Sequence, residues 1–281
     1  EALKRVATQY RSTYNVPMLP GVLSENLLSL LPHEARPSIT FSVTLSDELE
    51  PTGVSLRRTV LRSKRRLNYA AIDAIIEHGE SDPDRELFRS CFALAQHLMD
   101  RRRSKGALAV YDLTKRVYTT EEGFLVPLDD EYAHKGNIIV QEFMILCNSA
   151  VAHFMAAQGI PFLYRNHTVR TAAPHRREIV EQLNTALLHP RLLDLLRQRT
   201  ALWFNKATYD PVLTGHFGLN EVAYAHVTSP IRRSADLINQ QLIAAYLDGT
   251  PLPHEHDQLV AMSAAINKRL SDVQESSRQY H

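Results

Sequence analysis

Apolar residues recur every three to four positions over several long stretches of the chain, and each stretch predicts a helix with one buried face. The strongest runs from Asn137 to Gln158, where Ile139, Phe143, Leu146, Ala150 and Phe154 share a side and Gly159 ends the repeat. Gln141, Glu142 and Asn148 fall off that side. The same spacing predicts helices at Tyr69–His78, at Pro83 to about Arg103 with Leu87, Cys91, Leu94 and Leu98 inward, at His175–Leu188, at Pro190–Thr200 and at Glu255–Gln279. Ser24–Leu31 reads as a short helix capped by Ser24.

Two stretches change period. Ile39–Ser46 alternates strictly, as a half-buried strand does, and Val54–Leu61 follows a turn carrying Pro51 and Gly53, so the pair predicts a hairpin. Short strands are expected at Ala107–Tyr111, Lys115–Tyr118, Gly123–Leu128 and Pro161–Arg165. Helices and antiparallel or mixed strands together place the chain in the α/β class, α+β-like, as one domain over 1–281.

One motif combines a helix start with chemistry. In Tyr224-Ala-His226-Val-Thr228-Ser229-Pro230-Ile231-Arg232-Arg233-Ser-Ala-Asp236-Leu237, Ser229 is an N-cap candidate and Pro230 suits the first helical position. Ile231, Ala235, Ile238, Leu242 and Ala245 then mark a buried face as far as Leu247. Two arginines in a first turn oppose the helix dipole, which predicts a bound anion there, with Arg232 forking onto a phosphate. The alternative is an ordinary i,i+4 bridge from Arg232 to Asp236.

Composition narrows the picture only a little. The chain has 281 residues, 44% hydrophobic and 22% charged, with a net charge of +1, so nucleic-acid binding would have to come from local clusters rather than a global field. The densest cluster is Arg57, Arg58, Arg62, Lys64, Arg65 and Arg66. Cys91 and Cys147 sit in helical patterns without metal-ligand spacing, and are expected to be buried, reduced thiols of a cytoplasmic protein. No run of 18 apolar residues suggests a membrane partner, and no Walker, GxGxxG or HExxH pattern occurs.

The run from His216 through Leu237 resembles the signature of the ribonuclease II family, whose catalytic module is the RNB domain. Asn15-Val-Pro17-Met18-Leu19-Pro20, Gly136-Asn137-Ile-Ile-Val-Gln141-Glu142-Phe-Met144 and Leu163-Tyr164-Arg165-Asn166-His167 match further motifs in the same order. The resemblance implies 3′-to-5′ hydrolysis of single-stranded RNA to nucleoside 5′-monophosphates with two Mg²⁺ ions. It assigns Arg232 to the scissile phosphate. It places Tyr10, Tyr69, Tyr111, Gln141, Glu142, Arg233 and His226 along the RNA, with Tyr111 standing in for a family aromatic beside Val110 and Gln141 replacing a family glutamate. Asp236 and His216 are expected to orient their neighbours. The family's metal-binding aspartates belong to a segment expected upstream of Glu1, and the family's flanking OB-fold domains do not appear in these residues. A second reading keeps the RNA channel without the metals, as an RNA-binding or assembly factor.

Overall fold

The computed structural model describes residues 2–10, 14–108, 111–120 and 123–279. A short helix α1 (Ala2–Arg5) leads to a two-stranded ribbon of β1 (Gln9–Tyr10) and β2 (Asn15–Val16), then to a long hairpin of β3 (Ala35–Leu45) and β4 (Pro51–Arg62). Two helices follow, α2 (Tyr69–His78) and α3 (Arg85–Ser104). A three-stranded antiparallel sheet of β5 (Tyr111–Asp112), β6 (Val117–Thr119) and β7 (Leu125–Pro127) precedes the long helix α4 (Lys135–Ala157). The remainder is β8 (Tyr164–Asn166), α5 (Arg176–Leu188), α6 (Pro190–Trp203), β9 (Thr208–Asp210) paired with β8, α7 (Ser234–Asp248) and α8 (His256–Gln279). The sheets are small and antiparallel, and helices surround them.

The largest core forms where α4, α7 and α8 meet the hairpin. Val151, Ala152, Met155, Phe162, Leu163, Ile238, Leu242, Leu259 and Ile266 pack there with Leu56. Ile39, Phe41 and Val54 project onto the same cluster from alternate strand positions, as the period-two pattern requires. Farther along, Val60 opposite Pro37 stands 72% exposed, so only part of the hairpin is core.

Helix α4 departs from the one-sided reading. Its buried residues are Gly136, Ile138, Glu142, Ile145, Asn148, Ala150, Val151, Ala152 and Met155, which circle the helix. Glu142 and Asn148, expected off the buried face, are each 1% exposed. A central helix has neighbours on most sides, so polar residues enter the interior wherever a partner meets them. Lys135–Ala157 is also long and apolar enough by composition to cross a bilayer, but here it is the core helix. In α3 the buried stripe is Ala95, Leu98, Met99 and Arg102, while Leu87 is 58% exposed. Arg102 belongs to that stripe because its partner, Glu142, lies on α4. Residues 22–27 form a π-helical turn, not a helix capped by Ser24. Both cysteines are free and half-buried.

Helix α7 begins at Ser234, four residues later than Pro230. Ser229 caps nothing with its side chain. Instead its carbonyl accepts the backbone N–H groups of Arg232 (3.1 Å) and Arg233 (3.0 Å), closing a turn before the helix. Ala235, Ile238, Leu242 and Ala245 form the buried face as the spacing predicts.

Candidate nucleic-acid interface

A cavity of about 430 Å³ opens between the first turn of α2, the inner face of α4, the three-stranded sheet and the loop before α7. Tyr69, Tyr111, Gln141 and Arg233, four of the residues expected along the RNA, line it. Tyr118, Tyr132 and Tyr224 add aromatic wall. Tyr69 reaches this position because residue 136 is glycine: a Cβ there would lie 3.2 Å from Tyr69 Cδ1 and 3.3 Å from its Cα. Asn68 caps α2 by accepting the Ala71 N–H at 2.8 Å, which fixes the turn that carries Tyr69.

Tyr111 is 8% exposed, its ring 5.9 Å from that of Tyr118, and its hydroxyl donates to the Tyr132 carbonyl. Burial, and secondarily the nearby Tyr118 phenol, push its hydroxyl well above the usual phenol range. Tyr111 therefore forms a fixed wall of the cavity. The family aromatic it stands in for lies at Val110, outside the described residues.

The two arginines of the turn divide their roles. Arg233 donates from Nε to Asp236 Oδ2 and from Nη2 to Asp236 Oδ1, both at 2.7 Å. Asp236 is fully buried, and its Oδ1 also accepts the Ser229 N–H at 2.7 Å. Asp236 thus supplies a carboxylate in the first turn of α7, where the helix dipole favours it. The expected bridge from Arg232 to Asp236 is not formed, because the turn carries Arg233 onto the carboxylate. Asp236 orients Arg233 and the Ser229 turn rather than Arg232. The Arg232 side chain is exposed and forms no hydrogen bond or ion pair with any described residue.

Backbone pairing ties this turn to the N-terminal ribbon. Ala7 pairs with Arg233, the Thr8 N–H donates to the Arg232 carbonyl at 3.0 Å, and the Ser234 N–H donates to the Val6 carbonyl at 2.8 Å. These bonds hold the Arg232 turn against the segment that leads into β1, which carries Tyr10. Tyr10 is 65% exposed.

Three expected RNA-facing or orienting residues lie inside the protein. Glu142 accepts Arg102 Nη2 at 2.6 Å and Nε at 3.1 Å, a buried bidentate pair that excludes it as an RNA contact. His226 is 3% exposed, its Nδ1 2.7 Å from the Tyr209 hydroxyl, which makes it a core residue. His216 is 1% exposed and its Nδ1 accepts the Leu219 N–H at 3.3 Å, which fixes the loop beside the cavity. Asn148, next to the cavity, donates to the Tyr224 hydroxyl (3.3 Å) and accepts the Val227 N–H (3.1 Å), fixing the strand-like run that enters the turn.

Arg102 and Asn137 also line the cavity, although the sequence assigns neither a role. Arg102 sits within a run of three arginines that reads as a basic helix end. Within the basic cluster of the hairpin, Arg58 pairs with Asp248 and Arg65 with Asp82 and Asp84, while Arg57, Arg62, Lys64 and Arg66 are exposed. Among the described residues no group of three His, Cys, Asp or Glu side chains is placed to hold a metal ion, so these residues do not fit a Mg²⁺ site.

The comparisons agree with the signature. Ribonuclease R of Chlamydia pneumoniae is 27% identical to this chain, over 99% of the chain and 44% of that protein. Ribonuclease R of Mycoplasma genitalium, solved in complex with ribose-methylated single-stranded RNA, superposes with a TM-score of 0.80 at 22% identity, over 99% of this chain and 48% of that one. Yeast Ssd1, described as a pseudonuclease, shares the fold with a TM-score of 0.69 at 18% identity, over 98% of this chain and 37% of that one. The chain spans less than half the length of each of these proteins. A family model for the RNB domain matches residues 1–249, and the chain belongs to the RNB domain family.

Proposed function

We propose that these residues form the RNA channel of a 3′-to-5′ hydrolytic exoribonuclease acting on single-stranded RNA and releasing nucleoside 5′-monophosphates. The observation that carries the reading is an exposed Arg232 without a described partner in the turn whose next residue, Arg233, lines the tyrosine-walled cavity, with the exposed Tyr10 on the segment that pairs with that turn. Stacking on aromatic faces tolerates any base, and a free guanidinium forks onto a phosphate, which together suit a degradative enzyme. In this reading Arg232 binds the scissile phosphate. Arg233, whose charge Asp236 offsets, positions the turn and contributes a cavity wall.

The Mg²⁺ ions of the family's chemistry would be held by carboxylates outside these 281 residues. The chain by itself then binds single-stranded RNA without Mg²⁺-dependent hydrolysis. Fluorescence anisotropy with a labelled oligoribonucleotide tests the first half, and 5′-labelled RNA resolved on a gel with Mg²⁺ tests the second. Absence of binding by the pure chain overturns the channel, and robust release of mononucleotides by it overturns the assignment of the metals.

A second reading has one observation behind it, the fold shared with yeast Ssd1, which is described as a pseudonuclease. It makes the protein an RNA-binding pseudonuclease. Adding the complete parent protein to the gel assay separates the two: mononucleotide release supports the enzyme, and RNA bound intact supports the binding factor.

A further inference from the structure

Helix α4 is capped from a neighbouring helix. Its own N-cap residue, His134, makes no side-chain capping hydrogen bond, and its first turn carries no acidic residue. The carboxylate comes from α2. Asp73 Oδ1 accepts the Gly136 N–H at 3.3 Å, one of the amides that a helix start leaves unmatched, and Asp73 Oδ2 lies 3.0 Å from His134 Nδ1. A negative group also suits the positive end of the α4 dipole. Both side chains are largely covered, Asp73 being 20% and His134 24% exposed.

Tyr69, Asp73 and Glu77 follow one another at four-residue intervals on α2 and therefore share a face. That face meets the start of α4 at each of the three positions: Tyr69 packs on Gly136, Asp73 caps the first turn, and Glu77 pairs with Lys135. Gly136 is at once the residue that Tyr69 lies against and the donor that Asp73 holds, so the cap and the place of the tyrosine are tied together. We propose that Asp73 is a positioning residue for RNA binding, which acts without touching the nucleic acid: by capping α4 it fixes the docking of α2 on α4 that presents Tyr69 to the RNA. The proposal rests on the RNA-channel reading above.

The test is a double-mutant cycle read as affinity for a labelled oligoribonucleotide, by anisotropy with EDTA present. Tyr69→Leu keeps an apolar contact with Gly136 and removes the stacking ring. Asp73→Ala is expected to weaken RNA binding about five- to ten-fold when Tyr69 is present, and by less than about two-fold in the Tyr69→Leu protein. Asp73→Asn, whose amide oxygen still accepts the Gly136 N–H, is expected to bind within about two-fold of wild type. Amide exchange gives a readout free of RNA: the Gly136 N–H should exchange faster in Asp73→Ala and stay protected in Asp73→Asn. An equal loss from Asp73→Ala in both Tyr69 backgrounds overturns the proposal, because Asp73 then acts through overall stability or another residue. Wild-type affinity in Asp73→Ala overturns it too, as does an Asp73→Asn protein that binds as weakly as Asp73→Ala. A wild-type protein that binds no RNA overturns the channel reading and this inference with it, whereas the preceding results leave that reading standing.

Discussion

The Asp236 carboxylate takes both arms of the Arg233 guanidinium at 2.7 Å and a third hydrogen bond of 2.7 Å from the Ser229 N–H. With Asp236 fully buried and Arg233 only 20% exposed at its side chain, breaking this group leaves a desolvated cation and an unmatched backbone donor. Asp236→Asn is expected to destabilise the protein by about 3 kcal/mol, read as a lower urea midpoint with an unchanged slope. Arg232→Ala, at an exposed side chain without partners, is expected to shift stability by less than about 0.5 kcal/mol.

The same division of labour predicts different signatures in RNA binding. Arg232→Ala removes a phosphate contact, so the salt dependence of the RNA dissociation constant should fall by roughly one unit of log–log slope, or somewhat less on a single strand. Arg233→Ala removes a cation already neutralised by Asp236 and acts through the turn. Its slope should stay near that of wild type while affinity and stability fall together. Equal slopes for wild type and Arg232→Ala would show that Arg232 carries no phosphate.

The helices are legible in the sequence where one face is apolar and the ends carry punctuation: Tyr69–His78 is found to the residue, and α7 keeps its buried face although it starts four residues late. The error at α7 arises because Ser229-Pro230 fits a helix cap equally well as a local sequence, and only the distant Val6–Thr8 segment draws residues 232–234 into backbone pairing. Of the residues expected along the RNA, Arg232 and Tyr10 are exposed, whereas Glu142 and His226 are buried against Arg102 and Tyr209, partners 40 and 17 residues away in the chain. Periodicity along one element carries no information about such pairings.

Acid should loosen the tip of the hairpin first. Glu50 sits between Arg101 and Lys105, and hydrogen bonds from Arg101 and then Lys105 hold its carboxyl below the usual glutamate range. A depressed folded-state value stabilises the docked tip above the ordinary glutamate range, and the contribution is lost as pH falls through the lowered value. Hydrogen exchange of residues 46–53 should therefore accelerate, after correction for intrinsic rates, as pH drops from neutral into that acidic window. Glu50→Gln should show fast exchange at neutral pH and no further acid step.

Cys147 offers a probe of α4 packing. Burial pushes its thiol up to about 12, so at pH 8 roughly one molecule in ten thousand carries the thiolate. An ordinary thiol near 8.5 would be ionised in roughly a quarter of molecules at that pH. Iodoacetamide labelling followed by peptide mass analysis should find Cys147 essentially unmodified in the folded protein and fully modified in urea. Rapid labelling in the fold would contradict its packing against the main core.

The strongest energetic test concerns Arg102 and Glu142, which join α3 to α4 through a bidentate pair with side chains 8% and 1% exposed. A buried ion pair gains little over apolar groups of the same shape, because desolvation offsets most of the attraction. Removing one partner is different, since the other charge stays behind. Glu142→Leu is expected to cost about 3–5 kcal/mol and Arg102→Met a similar amount, while the double replacement should lie within about 2 kcal/mol of wild type in either direction. Urea unfolding of the four proteins completes the cycle. Additive single costs would mean that the two side chains do not form the pair in solution, and the wall shared by α3, α4 and the cavity would then need another source of cohesion.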